Sequence, residues 1–262
     1  MNRYNQIEEQ ADLGFAPDSS FPLTYAEKGL LQVKLHGPGW DDLPLQAGQA
    51  LNVVPDKATY AGHRLEELLP VLDQSGVQYS QTEDSVTVLG VSKHSKDAAE
   101  GVNAIVGLAE SLSLIQPHPA LLFIADAVGE DATGEALFGP ISDEPSGDLS
   151  FNLATLVIDQ EQSEIGIDIR IPVLADKDAL VARLQEIAAS YQLEYEEFDY
   201  LAPLYVPLDS PLVSSLMAVY QEETGDKTPA MSSGGATFAR TMENCVAFGA
   251  LFPSAEQTEH QA

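Results

Sequence analysis

Basic residues are scarce in this chain: 12 Lys and Arg stand against 41 Asp and Glu, a formal net charge of −29. A field of that sign repels polyanions, which excludes nucleic acid and anionic membrane as partners. Cys245 is the only cysteine, so no internal disulfide can form, and a reducing cytoplasm is the expected setting. It enters the apolar run 246–252 with no His or base close in sequence, and reads as a small buried hydrophobe rather than a nucleophile. No stretch approaches the ~20 apolar residues that a membrane span needs, and residues 1–10 are polar and acidic, unlike a signal peptide. The expectation is a soluble, cytoplasmic chain.

What is present suffices for real cores. Apolar residues make up 44% of 262 positions, enough for one large domain or two ordinary ones. Alternation of Leu31, Val33 and Leu35 predicts a strand ending at Gly37-Pro38-Gly39. A short apolar strand is expected over 50–55, with Asn52 inside it. Leu65, Leu68, Leu69 and Leu72 space a helix between Gly62 and Gly76, despite Pro70. A strand over 85–91 and a helix over 98–114 complete a first β-α-β-α unit. Residues 116–150, with Pro117, Pro119, Pro140 and Pro145, read as helix pieces and surface loop. A second unit follows: strands over 151–158 and 165–171, a helix begun by Asp176, and an acidic strand over 194–200. Two β-α-β halves predict a ferredoxin-like sheet with helices on one face. Ser210 caps a further helix over 212–223.

Several residues carry possible chemistry, and the residues alone leave each open. Gly234-Gly235-Ala236-Thr237-Phe238-Ala239-Arg240 puts bare backbone N–H groups beside a cation, which suits a carboxylate or phosphate; it equally suits a strand-to-helix turn without ligand. Asp18, after Pro17, is a metal ligand or the cap of a turn. His94 stands on a loop between Lys93 and Lys96, as an anion contact or a solvated side chain. Arg170 is mid-strand, beside Asp168 in alternation, and is either functional or paired with Asp168 on the sheet surface. His260, the third residue from the end, is functional or incidental.

Taken together these segments resemble one family. Gly14-Phe15-Ala16-Pro17-Asp18, with Phe21-Pro22 and Glu27-Lys28-Gly29, look like the PepV-type zinc dipeptidases, relatives of carnosinase and acetylornithine deacetylase. So do the segment at Asn52, Gly90-Val91-Ser92-Lys93-His94-Ser95, Ile167-Asp168-Ile169-Arg170-Ile171-Pro172 and Tyr205-Val206-Pro207. The Gly-Gly turn, the run 244–253 and His260-Gln261 follow in the same order. The resemblance implies an α/β fold: a partial zinc-peptidase catalytic domain (1–29 and 205–262) with an inserted lid (30–204) of two ferredoxin-like halves.

It further implies metal-dependent hydrolysis of dipeptides that carry a free C-terminal carboxylate. Two zinc ions would serve the complete enzyme, one bound by Asp18 and the other by His260. His94 would stabilise the oxyanion, Asn52 and Arg170 would grip the substrate, Arg170 by its carboxylate, and Gly234 and Gly235 would complete the pocket. The family's His-x-Asp, bridging Asp and Glu-Glu pair have no match here, Glu8-Glu9 being read as an exposed acidic turn. The expectation is therefore an internal fragment, inactive alone, either monomeric or paired with a missing N-terminal half. The alternative is a peptide- or amino-acid-binding chain without catalysis, or a subunit whose partner supplies the absent ligands.

Overall fold

The computed structural model describes Ile7, Glu9 and residues 11–252. Its largest sheet is built from β1 (Gly29–Pro38), β2 (Ser150–Ile158), β3 (Gln162–Ile171) and β4 (Glu194–Leu201), in the order β4-β1-β3-β2, with Leu45–Ala47 added outside β2. All its pairings are antiparallel. With a helix-containing link from β1 to β2 and another from β3 to β4, this is the ferredoxin-like order that the two halves led one to expect. The first half is cut differently from that expectation. Lys57–Tyr60, Tyr79–Gln81 and Val86–Leu89 make a separate three-stranded sheet, and do not extend the main one.

Period-two alternation gives the main sheet two unlike faces. Leu31, Val33, Leu35, Phe151, Leu153, Ile165, Ile167 and Ile169 join one buried cluster with residues of the helices α1 (Leu65–Ser75), α2 (Ala104–Ser113) and α3 (Lys177–Ser190). Each such Leu or Ile contributes about 1.5–3 kcal/mol by leaving water. The helix ends follow local chemistry. Asp176 caps α3 by accepting from the Asp178 and Ala179 amides, and Asn103 does the same for α2 at Ile105 and Val106. The predicted helix over 98–114 is shorter than expected, because Asn103 interrupts it; Ser95–Glu100 is a separate 3-10 turn capped by His94.

The other face is polar yet closed. Gln32, Ser150, Asn152, Asp168 and Arg170 are register neighbours there, and the last four are buried. Beside it lies a smaller sheet, ordered Gly14–Ala16, Cys245–Ala247, Thr24–Glu27, Leu204–Tyr205, with Met231–Ser233 also on Thr24–Glu27. The helix α4 (Pro211–Thr224) packs here, started by Ser210, whose hydroxyl accepts from the Val213 amide, and stopped at a left-handed Gly225. The chain thus passes from the small sheet into the large one at Lys28–Gly29, and returns at 202–204. No helix among the described residues is long and apolar enough to cross a membrane.

Candidate functional site

Arg170 is the centre of the covered polar face. Its Nε and Nη2 donate to the two oxygens of Asp168, at 2.6 and 3.1 Å. Gln32 also donates to that carboxylate, at 2.9 Å. The pair is therefore buried rather than on the surface, with side-chain exposures of 4% and 0%. Asp168 occupies one side of the guanidinium and leaves the outer end. There Nη2 donates to the Ser95 hydroxyl at 3.0 Å and Nη1 to the Gly234 carbonyl at 3.1 Å.

Three segments roof this face. The first is the turn at Asn52, where a strand was expected. Its apolar neighbours Leu51, Val53 and Val54 imitate a strand, but Asn152 holds the chain in a turn by donating Nδ2 to both the Leu51 and Val53 carbonyls, at 3.0 Å each. The Asn52 carbonyl in turn accepts from the Ser95 amide at 2.9 Å, and Val53 bridges His94. The second segment is the His94 loop. His94 Nδ1 accepts from the Lys96 amide at 3.2 Å, which leaves the neutral ring's proton on Nε2. Partial burial pulls the imidazole pKa down, and the charges of Arg170 and Lys96 add to that.

The third segment is the Gly234-Gly235 turn. A Cβ at Gly234 would lie 2.7 Å from the Cβ of Lys96, so glycine is what lets the turn meet the His94 loop. The cation that the sequence placed beside bare amides is used otherwise. The Arg240 side chain is enclosed and paired with Glu27, donating Nε and Nη2 to Oε2 at 3.1 and 3.0 Å. Glu27 also accepts from the Thr237 amide and hydroxyl. Sequence reasoning passed over Glu27. Its signal was a carboxylate inside the strand Thr24–Glu27, every residue of which is buried, since a buried charge requires a partner.

Asp18 meets the far end of the loop that begins at Gly234-Gly235. It is exposed, between Gly14–Ala16 and Ser19–Ser20, and its Oδ2 accepts from the Phe238 amide at 3.0 Å. His260 and Glu8 lie outside the described residues. Among the described residues no three His, Cys, Asp or Glu side chains gather as a metal would require. Since a catalytic zinc takes three protein ligands and a water, these residues do not by themselves fit the implied zinc pair. Cys245 is buried in the small sheet, and burial pushes its thiol pKa up, as suits a hydrophobe.

With that geometry in view, the likenesses are informative. No family model matches the chain. It is 32% identical to "Putative dipeptidase YtjP" of Bacillus subtilis and 31% identical to a like-named protein of Staphylococcus aureus strain MW2. The first match covers 100% of this chain and the second 99%, yet each covers 61% of the relative; the chain spans that share of the curated proteins it matches. Among solved structures, aminoacylhistidine dipeptidase from Vibrio alginolyticus superimposes with a TM-score of 0.52 at 10% identity, over 93% of this chain and 61% of that one. That likeness concerns the fold alone. Along its whole length, then, this chain is related to proteins described as putative dipeptidases, in keeping with the resemblance that its motifs carry.

Proposed function

We propose that the chain carries the substrate-gripping part of a metal-dependent dipeptidase, with residues 30–204 as the lid and the flanking segments as part of the catalytic domain. The observation that carries this reading is the outer end of Arg170, whose acceptors there, Ser95 and Gly234, are both neutral. A dipeptide's C-terminal carboxylate offers that end two charged oxygens in fork geometry, and charge-assisted pairs are roughly twice as strong as neutral ones. Asp168 and Gln32 hold the guanidinium in place while the exchange occurs. Arg170 thereby selects peptides with a free carboxyl end.

His94 suits the oxyanion role. Its Nδ1 is engaged by Lys96, so Nε2–H is the group available to donate. A neutral imidazole does this without adding a charge that substrate must offset. Asn52, pinned by Asn152, stands on the neighbouring turn as the second substrate contact. Asp18 and His260 would each be one ligand of the two zinc ions implied by kinship. The remaining ligands have no match in the chain, and on that account we expect no turnover by the chain alone. A peptide-binding chain that does not cut would use the same Arg170 junction.

Calorimetry of the chain with glycyl-leucine and with glycyl-leucinamide tests the grip, alongside a peptidase assay in zinc, manganese and cobalt. The expected result is binding of the dipeptide over the amide, without hydrolysis. Equal binding of the two would remove the carboxylate contact, and metal-dependent turnover would remove the claim of inactivity.

A further inference from the structure

Arg240 touches more of the chain than its partner Glu27. Besides the carboxylate it donates Nη1 to the Ala202 carbonyl at 3.0 Å, and Nη2, as a shared donor, to the carbonyls of Lys28 and Gly235 at 3.1 Å each. Lys28 is the first crossover between the two sheets and Ala202 the second. Gly235 belongs to the turn whose other glycine carbonyl meets Arg170. One planar fork, 6% exposed on a carboxylate that is 0% exposed, thus ties both crossovers to the substrate-side turn. Glu27 closes the ring by also holding Thr237, two residues beyond that turn.

We propose that Arg240, oriented by Glu27, is a positioning residue that fixes how the inserted segment 30–204 sits over the small sheet, and so keeps the Gly234 turn within reach of Arg170. It does not contact substrate; its donors go to the Glu27 carboxylate and to the carbonyls of Lys28, Ala202 and Gly235. Lysine cannot substitute, since a point charge lacks the rigid fork that reaches four residues on three segments at once. The proposal rests on the substrate reading only for what the Arg170 junction binds. The lock itself is a property of the chain.

The test uses the full chain with spin labels at Gln185→Cys on α3 and Val219→Cys on α4, both exposed, Cys245 being buried. Double electron–electron resonance then reads the distance between the segments in wild type, Arg240→Lys, Glu27→Gln and, as a control on an exposed ion pair, Arg64→Lys. Hydrogen exchange on the same proteins reads the crossovers 28–30 and 202–204 against β2 and β3.

A narrow distance distribution is expected for wild type and Arg64→Lys, and a broad or displaced one for Arg240→Lys and Glu27→Gln. Exchange at the crossovers should rise about tenfold or more, with β2 and β3 unchanged, because local opening there is released without unfolding the core. Unchanged distances in both variants would overturn the lock. Loss of protection throughout β2 and β3 in both would overturn it as well, since the pair would then hold the sheets rather than their relation. Calorimetry with glycyl-leucine on wild type reports separately on the substrate reading: failure to bind there leaves the distances to decide the lock.

Discussion

The Gly234 carbonyl accepts a hydrogen bond from Nη1 of Arg170 at 3.1 Å, across 64 residues of sequence. It joins a turn next to the small sheet to the polar face of the large one. The same turn passes so close to Lys96 that a Cβ at Gly234 would lie 2.7 Å from the Lys96 Cβ, and one of the two must shift to admit it. Candidate site and sheet junction are consequently one feature.

Gly234→Ala therefore tests that junction at low cost in fold. The added methyl must push the turn off the His94 loop and so displace the wall that Gly234 and Gly235 are proposed to give the pocket; the Gly234 carbonyl itself yields its place on Arg170 to substrate. We expect dipeptide affinity to fall by about tenfold, a loss near 1.4 kcal/mol, with thermal stability changed by only a few degrees. Calorimetry and a melting curve check it; an unchanged affinity would detach the turn from the site.

Much of this architecture is legible in the sequence where the cause is local. Asp176 and Ser210 announce helices because a short polar side chain caps the amides that follow it. Leu31, Val33 and Leu35 announce β1 by alternation alone. What escapes is set by partners far along the chain. The segment at Asn52 reads as a strand from its apolar composition, and becomes a turn through Asn152, 99 residues beyond Val53. The Glu27–Arg240 pair spans 213 residues, so neither residue's neighbours reveal it. Asp168 and Arg170 were legible as a pair, but not as a buried one, because the segments that roof them are distant in sequence.

Asn152 gives a second prediction. Replacing it by Leu leaves the Leu51 and Val53 carbonyls without their donor, and buried unpaired groups cost about 1–3 kcal/mol. Asn152→Leu should lower the melting temperature and raise exchange in the 50–55 segment before the rest of the sheet. Uniform exchange across the sheet would mean that the turn is held by something else.

His118 supplies a pH dependence. It is fully buried; its Nδ1 accepts from the Ala120 amide and its Nε2 donates to the Pro38 carbonyl. A second proton has no place on this ring, and burial pulls the pKa down, against the smaller opposing effect of Pro38. The unfolded chain titrates near pH 6.5 and binds more protons than the folded one below that. Stability is then complete above about pH 6.5 and falls as the pH drops toward the lower folded pKa. Melting curves from pH 7.5 to 5 should show this decline, reduced in His118→Gln. An equal decline in both would assign it to the carboxylates.

Cys245 should be inert in the folded chain. It is 4% exposed, and its thiol pKa is raised by burial, so little thiolate is present to react. Ellman's reagent should find no thiol in buffer and one in guanidinium chloride. Rapid reaction in buffer would reopen the nucleophile reading that its sequence context argues against.

The sharpest discrimination concerns Arg170, where substrate contact and ion pair make different demands. Were the guanidinium only Asp168's counter-ion, Arg170→Lys would keep a positive charge beside the carboxylate, and dipeptide and amide affinities would move together. As a carboxylate grip, the fork itself is required. Asp168 takes its Nε side and leaves the Nη1 and Nη2 end for substrate, a division that lysine cannot reproduce. Charge-assisted bonds are worth about 1.5–3 kcal/mol, so glycyl-leucine affinity should fall tenfold or more in Arg170→Lys. Glycyl-leucinamide, lacking the carboxylate, should bind weakly to wild type and change little. Asp168→Asn separates the two roles further. It removes the partner that orients the fork while leaving its charge, so part of the grip should survive with lower fold stability. Calorimetry on the four combinations of wild type and Arg170→Lys with dipeptide and amide gives the coupling directly, and a coupling of zero would reduce Arg170 to a structural ion pair.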